Sequence, residues 1–577
     1  MNELIASYVR AFLVVFGTMF SLLSAVASEE PKRFLWAELI AFDNTREDFG
    51  VEEYLARMKF KPEAISLLLI EAEVFERHQG INPQQLLPER ACAYCARPYN
   101  KEHARQDWTC GQLKGLVTEI NRHGIETYAS FFEWGRQNLV GPTKKGDEPY
   151  CDFFIRQTLA FLKDYGFTGL HAADGFAHPR KMLTERGLKT SDRFSEAEKW
   201  GAFWKKASKV FKEAGFKTYL NTCWKKDPYE AVVRYGYDYR LVSESDIDGW
   251  VVESTAAVDE LEGWNNSPVR SQDKTTAMLV RLGPALREKE AVLLFGIKDD
   301  LEQYHALYHA PTGTEAEAMC KGSVFFGKKR VLSGFMACLS DAITPGEWER
   351  IDKMWRAGLA AEPAEPLGFR VVWSDAAFDR ELKEAPERRI ASTKTLVSML
   401  INRGSVICSS VSVEEALADE RMPILVIHPG FFDPQDLAAL QKRGRKCVTF
   451  GYGRDDFTEF HVKEDPKSWM DELRELTPCS TDFVRAHREM LALTPVVPED
   501  HFEDIVLSGF KAKDGAWYVV ARNNRKIYAN AQLWVKESVG KIGILSDYPS
   551  VPAMHLIQAK IPPSGAVMLR LDNVIGK

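Results

Sequence analysis

Beyond its first 28 residues, this 577-residue chain has no apolar run long enough to cross a membrane, which excludes a polytopic membrane protein. It also has no surplus of positive charge. The 75 Lys and Arg stand against 82 Asp and Glu, a net charge of −7, so there is no basic footprint for nucleic acid. No Gly-rich phosphate turn follows the first apolar segment, which argues against a dinucleotide-binding sheet. No G-x-S-x-G elbow, no H-E-x-x-H and no His-x-His after the first strand are present; these absences disfavour an α/β-hydrolase, a zincin and a metal-dependent amidohydrolase. The ten cysteines include one C-x-x-C pair, Cys92 and Cys95, with His103 and Cys110 downstream. That spacing leaves three readings open: a structural metal, disulfides that involve Cys151, or free thiols. No cofactor and no catalytic metal are expected.

The N-terminus reads as an export signal. Arg10 supplies a positive start, Ala11 to Ala27 an apolar run, and Ala25-Val26-Ala27 a small-x-small cleavage site, so residues 1–27 are expected to be removed. An uncleaved anchor is the alternative. The expected location is outside the cytoplasm, periplasmic or extracellular, with no stable membrane insertion after cleavage.

From Arg33 onward, short apolar runs alternate with amphipathic stretches. Strands are predicted to begin near Arg33, Ala64, Ile125, Phe167, Phe216, Gly249, Ala291 and Arg330. Eight strand–helix units over residues 33–362 predict an α/β fold, a (β/α)₈ barrel, with an open doubly wound sheet as the alternative. The last helix is signalled by Thr344 as N-cap and Pro345 at its first position. The segment from Gly322 to Lys328 mimics a phosphate loop, but Lys329 replaces the required Ser or Thr, so it reads as a helix end. After Glu362-Pro363-Ala364-Glu365-Pro366 the pattern restarts as a small α/β domain over 367–490. Residues 500–577 carry short strands with Asp-Gly and Asn-Asn turns, which predict a β-sandwich.

In an α/β barrel the chemistry sits at the C-terminal strand ends. Strand four ends in His171-Ala172-Ala173-Asp174-Gly175, an apolar run that delivers a carboxylate, with the next helix expected only after Ser195. Strand six ends in Val251-Val252-Glu253. Asp174 and Glu253 are the candidate catalytic pair, because glycoside cleavage needs one carboxyl as acid and another as nucleophile or base. The bland reading makes Glu253 a buried salt-bridge partner. Candidate substrate contacts are Trp36, Glu71, Glu133, Trp134, His171, Trp224, Asp299 and Asp300. The aromatic ones offer faces to a sugar, with ordinary packing as the alternative.

The stretch FTGLHAADGF resembles the strand-four signature of glycoside hydrolase barrels, with Thr168 in place of the first Asp. Carboxylates on strands four and six resemble the α-galactosidase/α-glucosidase clan and the dextranases; that resemblance implies Asp174 as nucleophile and Glu253 as acid/base. The order barrel, small α/β domain, β-sandwich resembles family 42 β-galactosidases. In that family the middle domain resembles a glutamine amidotransferase fold and makes oligomers, so a homo-oligomer through residues 367–490 is implied. Family 42 enzymes carry Asn-Glu where Ala173-Asp174 stands here, so the two resemblances disagree on linkage type. The expected function is a glycosidase acting on a poly- or oligosaccharide. Two alternatives remain: a non-catalytic carbohydrate-binding barrel, and a metal-assisted hydrolase or lyase using Asp299, Asp300 and His305.

Overall fold

The computed structural model describes residues 31–70, 73–92, 106–132, 139–253, 268–296, 314–338, 343–359, 361–453, 469–487, 493–496, 505–523, 527–535, 541–544, 550–551, 556–561 and 566–572. Eight parallel strands close into a barrel. They are β1 (Lys32–Ala37), β2 (Ala64–Ile70), β3 (Glu126–Phe132), β4 (Gly169–Ala172), β5 (Lys217–Asn221), β6 (Gly249–Glu253), β7 (Glu290–Gly296) and β8 (Gly334–Cys338). Each pairs with its neighbours in sequence, and β8 returns to β1 with Lys32 opposite Gly334. The expected (β/α)₈ barrel is therefore the fold, and the open sheet is excluded.

A helix follows each strand: α1 (Val51–Ala56), α2 (Cys110–Arg122), α3 (Tyr150–Tyr165), α4 (Arg193–Glu213), α5 (Tyr239–Ser243), α6 (Pro268–Ala285), α7 (Thr314–Gly322) and α8 (Pro345–Gly358). Helix α2 buries Leu113, Leu116, Val117 and Ile120, the i, i+3, i+4, i+7 stripe that its sequence spells. Thr109 and Gln112 form a reciprocal capping box at its start, and Thr344 with Glu347 does the same for α8, just before Pro345. Helix α4 opens at Arg193, three residues before the expected start after Ser195, because the turn Thr190–Asp192 leads straight into it.

Glycine makes room inside the barrel. At its N-terminal end Gly169 on β4 faces the Tyr128 ring of β3, and Gly249 on β6 faces the Tyr219 ring of β5. Tyr128, Tyr219 and Phe34 then fill the interior, with centroids 5.3 Å apart for Tyr128–Tyr219 and for Phe34–Tyr219. Large rings on one set of strands against glycine on the other is layer packing of the kind that closes such barrels. Trp36, Leu68, Ala173, Val251, Leu294 and Met336 continue the interior core.

After the barrel, a mostly parallel sheet takes in Phe369–Trp373, Ile407–Ser412, Ile424–Ile427 and Cys447–Phe450. A hairpin of the barrel, Phe325–Phe326 with Lys329–Arg330, is added at its edge beside Ile407–Ser412. The phosphate-loop mimic thus divides into the end of α7 and this hairpin. The C-terminal strands form two antiparallel sheets, and the first of them captures Pro363–Pro366 from the linker. Among the described residues no helix is long and apolar enough to cross a membrane. Cys110 and Cys151 carry free thiols, while Cys95 and residues 1–27 lie outside the described residues.

Candidate active site

The end of β4 is continued by a tight turn. Ala173 stays on the ladder through its N–H to Phe131 O (2.9 Å), and the N–H groups of Phe176 and Ala177 both return to Ala173 O. Gly175 sits at φ +87°, where a side chain would be strained, so the chain folds back there at low cost. The fold-back sets His178 over Asp174, four residues behind it. His178 Nε2 and Asp174 Oδ1 form an ion pair at 3.0 Å. The His178 ring is buried edge-on to Tyr237, centroids 5.9 Å apart.

Glu253 ends β6. Its N–H donates to Thr222 Oγ1 (3.0 Å), and its carbonyl accepts from Lys225 N–H (3.2 Å), which ties it to the loop after β5. Tyr239 holds that loop from below by accepting from Cys223 N–H and donating to Lys226 O. One oxygen each of Asp174 and Glu253 and one nitrogen of His178 lie within 4.8 Å of one another. Among the described residues this is the one place where three such side chains converge. Asp174 keeps 16% of its side chain exposed, while Glu253 is 7% exposed.

The electrostatics separate the members of the cluster. Burial alone would push the Asp174 carboxyl up. The close approach and charge of His178, then the charge of Arg180 and the nearby Glu253, outweigh it and hold Asp174 below its ordinary value. Burial likewise opposes charge on His178, but Cys223 and Asp174 hold it well above the usual imidazole value. At neutral pH the pair is therefore an imidazolium against a carboxylate.

The other predicted residues fall in three groups. His171 and Trp36 lie inside the barrel, below the mouth. His171 bonds Ser66 Oγ through Nδ1 (2.8 Å) and Asn221 Oδ1 through Nε2 (2.7 Å), with its ring centroid 5.0 Å from that of Trp36. Burial pulls His171 down to about 4, so it is neutral and held in place by its partners. Since Asn221 Oδ1 can only accept, Nε2 carries the proton and Nδ1 accepts from Ser66. Trp224 stands on the loop after β5, 46% exposed, with Lys225 Nζ 4.4 Å from its ring. Glu71, Glu133, Trp134, Asp299, Asp300 and His305 lie outside the described residues. Sequence reasoning missed His178, Arg180 and Thr222. The available signal was a basic residue four positions past a strand-end Asp-Gly, where a fold-back turn returns it to the carboxylate.

No family model matches the chain, and no curated protein matches it. Solved structures do. A class V chitinase from Pseudomonas fluorescens Pf-5 is 10% identical, covers 57% of this chain and 99% of its own, and has a TM-score of 0.35. The trehalulose synthase MutB from Pseudomonas mesoacidophila MX-45 is 11% identical, covers 95% and 100%, and has a TM-score of 0.40. A Group IV chitinase from Ostrinia furnacalis is 15% identical, covers 39% and 51%, and has a TM-score of 0.24. Likeness at this level says nothing about the reaction or the substrate of this chain.

Proposed function

We propose that the protein is an exported glycoside hydrolase that cleaves a poly- or oligosaccharide with retention of configuration. Asp174 acts as nucleophile and Glu253 as acid/base. The observation that carries this reading is the convergence of the two carboxyls, oxygens within 4.8 Å, at the C-terminal ends of β4 and β6. Retaining enzymes hold their carboxyls about 5–5.5 Å apart, whereas inverting ones leave roughly 6.5–9.5 Å for a water. Asp174 is the one held ionised, which leaves Glu253 to deliver a proton to the leaving oxygen. Asp174 then attacks the anomeric carbon, and Glu253 takes a proton from the water that releases the sugar. Trp224 offers an exposed ring at the rim for stacking on a sugar face. Glu71, Glu133, Trp134, Asp299 and Asp300 follow the ends of strands two, three and seven and complete the proposed substrate contacts.

The test is a screen of aryl glycosides and polysaccharides, followed by Asp174→Asn and Glu253→Gln. Each substitution is expected to lower kcat by about 10²–10⁴-fold or more while the melting temperature stays near wild type. A fluorinated glycoside should leave a covalent adduct on Asp174, seen by peptide mass spectrometry. Full turnover in Asp174→Asn would end the assignment, and a first product of inverted configuration would end the retaining mechanism.

A second reading has one observation behind it: Asp174, His178 and Glu253 also form a three-donor set of metal-ligand type. The charges of His178 and Arg180 beside it disfavour a cation. Activity abolished by a chelator and restored by a divalent metal would favour this reading over the first.

A further inference from the structure

We propose that the N-terminal face of the barrel, opposite the catalytic mouth, carries an anion-binding site in which Arg330 and Lys328 hold an oxyanion group. The inference is independent of the glycosidase reading. A cavity of about 990 Å³ opens there between the strand starts and the C-terminal sheet, within the size range of small-molecule sites. The barrel contributes Lys32, Glu63 and Glu290, the hairpin contributes residues 328–330, and the linker and C-terminal sheet contribute Glu362 and Lys513.

Five cations and three carboxylates line this cavity, and the carboxylates are committed elsewhere. Glu290 is engaged by Lys32 and by the Tyr219 hydroxyl. Glu362 pairs with Lys513 at 3.0 Å, and Glu63 accepts the backbone N–H of Arg33. Lys329 turns to Glu288, donating to its carbonyl at 3.1 Å. Two cations remain. Neither Arg330 nor Lys328 has an ion-pair or hydrogen-bond partner among the described residues.

Arg330 is the unusual one. Its Nε and one Nη are sealed from solvent with no acceptor. Its guanidinium lies over the Phe510 ring, 4.9 Å from the centroid. Stacking satisfies the flat face of a guanidinium; the in-plane N–H edge still needs oxygen. Burial lowers the Arg330 guanidinium to about 10, and the charge of Glu362 across the cavity offsets that only in part. A guanidinium backed by an aromatic wall, with its other Nη left to face the cavity and Lys328 on the same lining, suits a phosphate, a sulfate or the carboxylate of an acidic sugar.

The experiment is isothermal titration of the full chain with inorganic phosphate, sulfate and glucuronate at low ionic strength. Saturable one-to-one binding of at least one probe is expected. Arg330→Gln should weaken it by about 10-fold, since a charge-assisted contact is lost. Lys328→Gln, at an exposed position that leaves the Phe510 stack intact, should weaken it several-fold with an unchanged melting temperature. That second variant keeps the test valid if Arg330→Gln fails to fold. The tighter of the inorganic and sugar-acid probes identifies the source of the anion. No saturable binding of any probe, or binding that survives Lys328→Gln and Arg330→Gln undiminished, overturns the site.

Discussion

At the scale of single residues, the site is governed by the ion pair between Asp174 and His178. The signs of the two shifts fix its pH window. The raised imidazole of His178 contributes stability that is fully present below the ordinary histidine value, about 6.5, and is lost as pH rises through its higher folded value. The depressed carboxyl of Asp174 contributes stability present above about 3.9 that is lost as pH falls through its lower folded value. Between those limits Asp174 stays ionised. His178→Asn keeps a polar side chain but removes the charge, so the acid limb of kcat/KM should move upward. A pH–rate profile with an unmoved acid limb would show that His178 does not set the charge on Asp174. Asp174 and Glu253 were legible in the sequence because each ends an apolar run. His178 was not, because its role depends on a turn that doubles the chain back at Gly175.

At the scale of elements, the barrel depends on alternating bulk. A methyl group added at Gly169 would meet backbone of β5 and come within 2.9 Å of the Tyr128 ring. Gly169→Ala is therefore expected to cost about 1–3 kcal/mol or more, since neither a strand backbone nor a packed ring can give way cheaply. Thr344→Ala should cost only about 1 kcal/mol, because it removes one cap of a helix that is otherwise packed through Trp348, Ile351 and Trp355. Urea unfolding of both variants checks the order, and equal costs would mean that the glycine is not a steric requirement. The capping signal at Thr344 was plain in the sequence. The glycine requirement was hidden, since the clash comes from residues about 40 to 50 positions away in the chain.

At the scale of the molecule, Asp273 on α6 joins the regions. It is fully buried, accepts from Asn402 Nδ2 at 2.9 Å and pairs with Arg522 of the C-terminal sheet. Asp273→Ala strips a buried guanidinium of its carboxylate. We expect a loss of about 3–5 kcal/mol, the usual cost of breaking a buried pair from one side. Differential scanning calorimetry should show a lower melting temperature, and an unchanged melting temperature would sink the idea that this pair locks the regions together. Arg281 adds a second lock from the same helix, pairing with Glu381 at 2.6 Å and stacking on Trp373 and Phe378.

Local periodicity and punctuation determined the elements here. An apolar run bounded by Gly or Pro becomes a strand, and a 3.6-residue stripe with a cap becomes a helix, because those signals act within a few residues of themselves. The eightfold alternation therefore declared the barrel, and the run endings declared Asp174 and Glu253 as rim carboxylates. Tertiary structure decided what the sequence left open. Closure of the ring brings β4 and β6 together at one mouth, the turn after β4 adds His178, and the interior claims His171 and Trp36. The hairpin ending in Arg330 is carried away to the opposite face. Each of these outcomes depends on contacts between distant segments, and a one-dimensional pattern carries no record of which distant segments will meet.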